Sequence, residues 1–446
     1  MKKSIKNKLL SFLTLTSFSS IIFLASCTNK VETKTTNQVN PPSFKAKTDS
    51  STSQDTTKPT QEPSKVSVSS ENDLYKKDDN YVKLGFWNIL NYDDDDVNSN
   101  KDSFAKTYKA QMLAKTISFN NADVVGLVEV NAGSNKENGV DSIVKDLNNL
   151  DKEAKWTSIV SDSVYGEGNE SQKERVAFIF KSSLFDILEI NKGKLYGSNP
   201  YLLVYDNPVF DSVPAYFAKS KVSKGKATFD DKLTTKNVDF ARPPVAAKFK
   251  LKNTEEEFVV VASHFDSPGV NNNPTAKGKE EGEVDNTKFD SRNGSQELSE
   301  ANHMLEAMNW FENKTNTQNQ FFMADTNIKE KSNDNAFEHL LTQYKLLISK
   351  TNKTTLGENF DTYSSSYDKI FFKKEGKLTV DKVYKYPLYD LIKDKLTSEN
   401  ELSQVLENKK NKSNSSKDIK ARIRDFISDH SPVFVSIKKA LKNKQN

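Results

Sequence analysis

The chain has 446 residues, 65 Lys+Arg against 61 Asp+Glu, and a single cysteine. One cysteine excludes an intramolecular disulfide. The small positive excess is no argument for polyanion binding: four lysines and no acid fall in the first 26 residues, and without them the balance is 61 against 61. Any site for a polyanion must therefore be a local patch.

In chain order, Lys2, Lys3, Lys6 and Lys8 precede an apolar stretch that ends in "LASC" at Cys27. Basic, then apolar, then small residues is the order of a secretory signal. "Leu-Ala-Ser-Cys" resembles a bacterial lipoprotein box, which implies a signal peptide over residues 1–26, cleavage before Cys27 and lipid attachment there. Residues 27–80 are rich in Thr, Ser, Lys, Gln and Pro. They hold too little apolar surface to offset the entropy of ordering, so the expectation is a disordered tether. Residues 81–446 show no internal repeat and no second break in composition, and are read as one domain.

Within it, "YVKLGFWNIL" at 81–90 is strand-like, and Ala110, Leu113, Ala114 and Ile117 then recur at helical spacing. "ADVVGLVEV" at 122–130 is an apolar strand ending in an acid; Val140, Ile143, Val144 and Leu147 mark a second helix. "RVAFIF" at 175–180, "PVAAKFKL" at 244–251 and "FVVVASHF" at 258–265 read as strands. Leu298, Ala301, Leu305 and Met308 give a third helix, and "QFFMADTN", "YDKIFF" and "PVFVSI" complete the strands. Apolar strand runs between a few helices predict an α/β (α+β) fold of two packed mixed sheets with helices outside. Three long loops are expected near 192–240, 266–295 and 386–424.

Polar residues cluster at strand termini: Asn88, Glu129, His264, Asp325, Asn327, Asp429 and His430. A strand-ending aspartate taken alone is more often a turn or cap residue. His303 lies opposite its helix's apolar stripe and reads as solvent-exposed, and His339 as a helix-surface residue. The acidic run at 93–96 reads as a solvated loop, and "KSKVSKGK" at 219–226 as a solvated loop more than a DNA patch. With no cysteine cluster and no histidine-rich spacing, structural zinc is disfavoured.

Taken together, the motifs resemble the DNase I-like endonuclease/exonuclease/phosphatase superfamily. "GFWNIL" matches its asparagine motif and "VVGLVEV" its metal-glutamate motif. "KERVAFIF", "ARPPVAAKF" and "ASHF" follow; then "MADTN", where Ala324 and Thr326 stand for the usual Gly and Phe; then "YDKIFF" and "SDHSPV". The resemblance implies a four-layer sandwich and a divalent-metal phosphodiesterase. It implies His264 and His430 as proton-transfer groups paired with Glu174 and Asp368, and Asp325 and Asn327 positioning water or phosphate oxygen. Glu129, with Asp429, Asn88 and Asp325, would hold Mg²⁺, with Ca²⁺ or Mn²⁺ as alternatives. Arg242, Arg175 and Asn88 would bind substrate. Lys-Glu-Arg, Arg-Pro-Pro and the first histidine look like the DNase I branch. The lipobox, tether and Asn/Lys-heavy composition resemble the membrane nucleases of mycoplasma-type bacteria. The expected protein is a membrane-anchored nuclease at the extracellular face, cutting DNA (and RNA as an alternative substrate) with little sequence preference and no obligate protein partner. A sphingomyelinase-like phospholipid phosphodiesterase and a non-enzymatic surface lipoprotein are the alternatives.

Overall fold

The computed structural model describes residues 72–94, 103–132, 139–167, 169–219, 226–270, 281–408 and 418–439. The signal segment, Cys27, nearly all of the tether, Asp95, Asp96, positions 220–225 of the lysine-rich run and positions 271–280 lie outside them.

Two sheets carry the domain. The first has the strand order Thr379–Lys385, Val433–Lys438, Tyr81–Tyr92, Val124–Asn131, Glu174–Lys181, Trp156–Val160. The second has the order Tyr344–Leu346, Asp368–Lys373, Gln320–Asp325, Glu257–His264, Val245–Leu251, Phe185–Leu188, with Leu202–Val204 also pairing Val245–Leu251. Both are mixed. Tyr81–Tyr92 runs parallel to Val124–Asn131, and Glu257–His264 parallel to Gln320–Asp325, while the remaining pairs are antiparallel.

Side-chain alternation explains the layers. Leu84 and Phe86 join Phe178, Val435, Phe249, Val260 and Ile370 in one core between the sheets. Their neighbours Trp87 and Ile89 point the other way, into a core with Leu113 and Ile117 of the Ser103–Phe119 helix and Ile143 and Leu147 of the Asp141–Leu150 helix. Behind the second sheet, Val259, Val261 and Phe322 meet Leu298, Met304 and Phe311 of the Ser295–Thr315 helix. The result is helix, sheet, sheet, helix: the four-layer α/β sandwich. Both faces of each inner strand are buried, so those strands read as continuous apolar runs. Gly85 is required by close approach, because a Cβ there would lie 2.7 Å from the ring of its cross-strand partner Phe434.

The expected loop at 386–424 is corrected. It carries the Glu399–Asn408 helix, and Tyr386, Leu388, Leu391, Leu402 and Val405 fill the outer core of the first sheet. Region 192–240 likewise gives the Leu202–Val204 strand to the second sheet. Asp94 of the acidic run is buried: it accepts from the Tyr92 hydroxyl at 2.6 Å and from Ser142 N at 3.1 Å, at the start of the Asp141–Leu150 helix. Among the described residues no helix is long and apolar enough to cross a membrane.

Candidate active site

Strand register assembles the site. In the second sheet His264 is the parallel partner of Asp325, and Asp325 is the antiparallel partner of Asp368, so three functional groups stand side by side on adjacent strands. In the first sheet Asn88 pairs with Val128, and the register then shifts on both sides of Glu129. That bulge re-aims the glutamate. Glu129 takes φ 57° and Asn327 φ 54°, left-handed conformations that residues other than glycine adopt at a cost and that concentrate at functional positions.

Each imidazole has its own carboxylate. His264 Nδ1 lies 3.0 Å from Glu174 Oε2, and His430 Nδ1 lies 2.7 Å from Asp368 Oδ2. The opposite ring nitrogens converge: His264 Nε2 is 3.7 Å and His430 Nε2 3.4 Å from the same atom, Asp325 Oδ2. Asn327 Nδ2 stands 3.4 Å from His264 Nε2. All six residues are largely buried.

Burial and the Arg242 charge push His264 down, but Glu174 and Asp325 outweigh them and its pKa is raised. Burial also opposes the charged form of His430, yet Asp368 and Asp325 hold it well above the ordinary histidine value. Burial alone would raise Asp325 and Glu174; the histidines lower the first, and Arg242 and His264 lower the second. For the close His430–Asp368 pair, two carboxylates against one imidazole place the proton on the ring.

The Arg242 guanidinium is turned to neighbouring protein groups. Its Nε donates to the His264 carbonyl at 2.9 Å, another nitrogen to the Phe265 carbonyl, and a third faces Glu174 at 3.5 Å. It is a brace beneath His264. Asn88 is also occupied: Nδ2 donates to Glu129 Oε1 at 2.7 Å and Asp325 Oδ2 at 2.9 Å, and Oδ1 accepts from Leu90 N at 2.9 Å. It positions two carboxylates. Arg175 is buried, on the strand face shared with Ala177 and Ile179 and away from Glu174. Lys219 of the lysine-rich run pairs with Asp230 and Asp231 at 3.3 and 3.1 Å. His303 is not solvent-exposed: it stacks on Phe210 at 3.9 Å and bonds the Tyr205 hydroxyl at 3.1 Å. His339 is exposed, as its pattern suggests.

The donors suit a hard cation. Glu129 is half-buried, and both its oxygens are held, one by Asn88 and the other by Asn91 N at 2.9 Å. Asp429 lies half-buried nearby, and its Oδ1 is buried without a partner. Asp325, Asp368 and His430 bring three donor atoms within 4.8 Å of one another. However, a protonated imidazole has no lone pair to give. Glu129 and Asp325 meet on one Asn88 Nδ2, so carboxylate oxygens of the kind a hard cation prefers stand together there.

Sequence reasoning gave no role to the residues that seat this cluster. The Trp87 indole donates to the His430 carbonyl at 2.7 Å, and Ser428 Oγ donates to the Asn88 carbonyl at 2.7 Å while accepting from His430 N at 3.0 Å. Tyr367 stacks on His430 with ring centroids 6.5 Å apart. All three adjoin the motif residues in sequence, which was the available signal. A separate hollow of about 190 Å³ near Tyr81 is lined by Lys76, Lys77, Lys181 and Lys382, at the far end of the first strand from Asn88. Lys181 there is paired with Asp123 at 2.8 Å, and Lys83 donates to backbone carbonyls, so this is a satisfied ionic edge.

No family model matches the sequence. A stretch of 143 residues is 36% identical to an uncharacterized protein of Mycoplasma pneumoniae; it covers 31% of this chain and 27% of that protein. Among solved structures, an endonuclease/exonuclease/phosphatase family protein from Bacteroides thetaiotaomicron is similar at 15% identity and TM-score 0.39, over 81% of this chain and 98% of its own. A second such protein, from Bacteroides vulgatus, matches at 15% and 0.40, over 81% of this chain and 99% of its own. The human Nocturnin catalytic domain with bound sulfate matches at 10% and 0.40, over 80% of this chain and 93% of its own.

Proposed function

We propose that this protein is a divalent-metal-dependent phosphodiesterase, and that its substrate is DNA outside the cell, reached from a lipid anchor at Cys27. One observation carries the chemistry: two imidazoles, each on its own carboxylate, turn their free nitrogens toward one shared aspartate. The motif resemblance to the DNase I branch supports the choice of nucleic acid.

Water attacks phosphorus and the bond to the leaving oxygen breaks. His264 Nε2 takes the proton from water, with Asn327 and Asp325 orienting the attack. His430 Nε2, the more strongly proton-holding ring, gives its proton to the leaving oxygen. Glu174 and Asp368 fix the tautomers through Nδ1 and stabilise the imidazolium. A divalent cation, when bound at Glu129, Asp325 and Asp429, neutralises charge growing on the phosphoryl oxygens. With Arg242 engaged, we assign phosphate contact to Lys329, whose Nζ lies 4.6 Å over the Tyr367 ring that stacks on His430 and donates to Ser365 Oγ at 3.0 Å. Contacts of this kind to phosphate carry no sequence information, so cleavage is expected to show little sequence preference.

The test incubates the full chain with plasmid DNA and separately with sphingomyelin, each with Mg²⁺ and with chelator. DNA loss that needs the metal is the expected result. Lipid cleavage without DNA cleavage would replace the substrate, and no hydrolysis of either would remove the enzyme reading.

A further inference from the structure

Asp368 points between the sheets to His430. The next residue, Lys369, points to the other face of the strand, where Phe371 joins the core under the Ser295–Thr315 helix. Lys369 is 1% exposed, and no step of the proposed hydrolysis uses it. Its ammonium donates to two backbone carbonyls, those of Ser366 and Ile328, the second at 3.4 Å. Burial lowers its pKa to about 8 against the pull of Asp368, Glu330 and Asp325, so the group is mostly charged at neutral pH. A buried charge is costly, and an apolar side chain of similar length would fill the position without that cost.

The two carbonyls belong to the two segments that carry the site. Ile328 sits between Asn327 and Lys329, on the loop after the Gln320–Asp325 strand. Ser366 precedes Tyr367, on the segment leading into Asp368. Asn327 stands 3.4 Å from His264 Nε2 and Tyr367 stacks on His430, so each segment serves one imidazole. The segments are also joined directly. Thr326 N and Oγ donate to the Tyr367 carbonyl at 3.0 and 2.9 Å, and Glu330 Oε1 accepts from Ser366 N at 3.1 Å. Asn327 keeps its φ of 54°, a conformation that persists only where its surroundings hold it. We propose that Lys369 is a positioning residue for the hydrolysis: its ammonium clamps the Ile328 and Ser366 carbonyls and so fixes Asn327 relative to the Tyr367–His430 stack. This role rests on the phosphodiesterase reading. Asn327 and His264 act on the attacking water, so a slack loop should show in kcat. Lys329 swings on a flexible stem and still reaches a phosphate, so KM should change little.

The experiment measures kcat, KM and a thermal melt for the full chain on a DNA oligonucleotide with Mg²⁺. It compares the native sequence with Lys369→Met, which keeps the length and drops the donors, and with Lys369→Arg, which keeps charge and donors. In Lys369→Met, kcat should fall about 10- to 100-fold while the melt stays cooperative. Its KM should stay within about threefold of native. Lys369→Arg should recover most of kcat. A folded Lys369→Met protein with native kcat, a loss confined to KM, or a folded Lys369→Arg protein no better than Lys369→Met would overturn the role. If Lys369→Met fails to fold, Lys369→Gln, one bond shorter and still a donor, decides in its place, and native kcat there overturns the role. No hydrolysis by the native chain would instead overturn the phosphodiesterase reading, and this role with it.

Discussion

The two histidine pairs look alike and are set differently. His264 meets Glu174 at 3.0 Å, but Glu174 also faces Arg242 at 3.5 Å. His430 meets Asp368 at 2.7 Å with no arginine behind it, and one Asp368 oxygen is buried without a partner. The guanidinium draws on the carboxylate that would hold the first proton, while the second carboxylate faces no guanidinium. One device thus yields two proton affinities, with His430 the stronger holder. An acid and a base can then coexist at one pH without different residue types.

The widest break in that comparison is removal of either ring. His430→Ala and His264→Ala should each lower hydrolysis by ~10²–10⁴-fold, measured on DNA with Mg²⁺. A fully active His430→Ala protein would remove it from the reaction. The carboxylates come next and should separate the pairs. Glu174→Gln leaves Arg242 buried without its anion and should cost about 3 kcal/mol in denaturant unfolding, besides activity. Asp368→Asn should cost activity with a smaller stability loss, because its buried cationic neighbour Lys369 keeps the Ser366 and Ile328 carbonyls as partners. Equal stability losses would erase the asymmetry. A subtler reading is the order of titration in the metal-free protein, followed by NMR of the ring protons. His430 should deprotonate at higher pH than His264. Its folded pKa is raised above the unfolded value near 6.5, so its stabilising contribution is full below that pH and is lost as pH climbs through the folded pKa. The reverse order would exchange the acid and base roles.

Which parts were legible in the sequence follows the same physical line. The eight strands read from apolar runs are the eight interior strands of the two sheets. The five missed in these two sheets, Trp156–Val160, Phe185–Leu188, Leu202–Val204, Tyr344–Leu346 and Thr379–Lys385, are all at sheet edges. Edge strands are short, half-wet and charged, as "TVDKVYK" shows, so they lack a continuous apolar signature. In the site, side chains on inner strand ends were found because strand and motif coincide there. What Arg242 and Asn88 do with their donors was not legible. A planar fork looks the same in sequence whether it meets a phosphate or two carbonyls.

His303 carries the smallest expected effect and shows how an insertion changes a helix's reading. Its position opposite Ala301 and Leu305 predicts exposure. Instead, Tyr205 and Phe210 of region 192–240 cover it, and its pKa is lowered by burial, against the pull of Glu306. Far from the convergent nitrogens at Asp325, it is a neutral packing group between insertion and helix. His303→Ala should therefore cost about 1 kcal/mol in stability, from one lost hydrogen bond and one ring stack, with hydrolysis unchanged. Because its folded pKa lies below the unfolded value, the native protein should lose part of this contribution on acidification through pH ~6.5, and the variant should not. Denaturant unfolding of both proteins at pH 8 and pH 5 measures the difference. A gap between them that does not shrink at pH 5 would mean that His303 is packed charged, and that its partner is Glu306 rather than the aromatic cover.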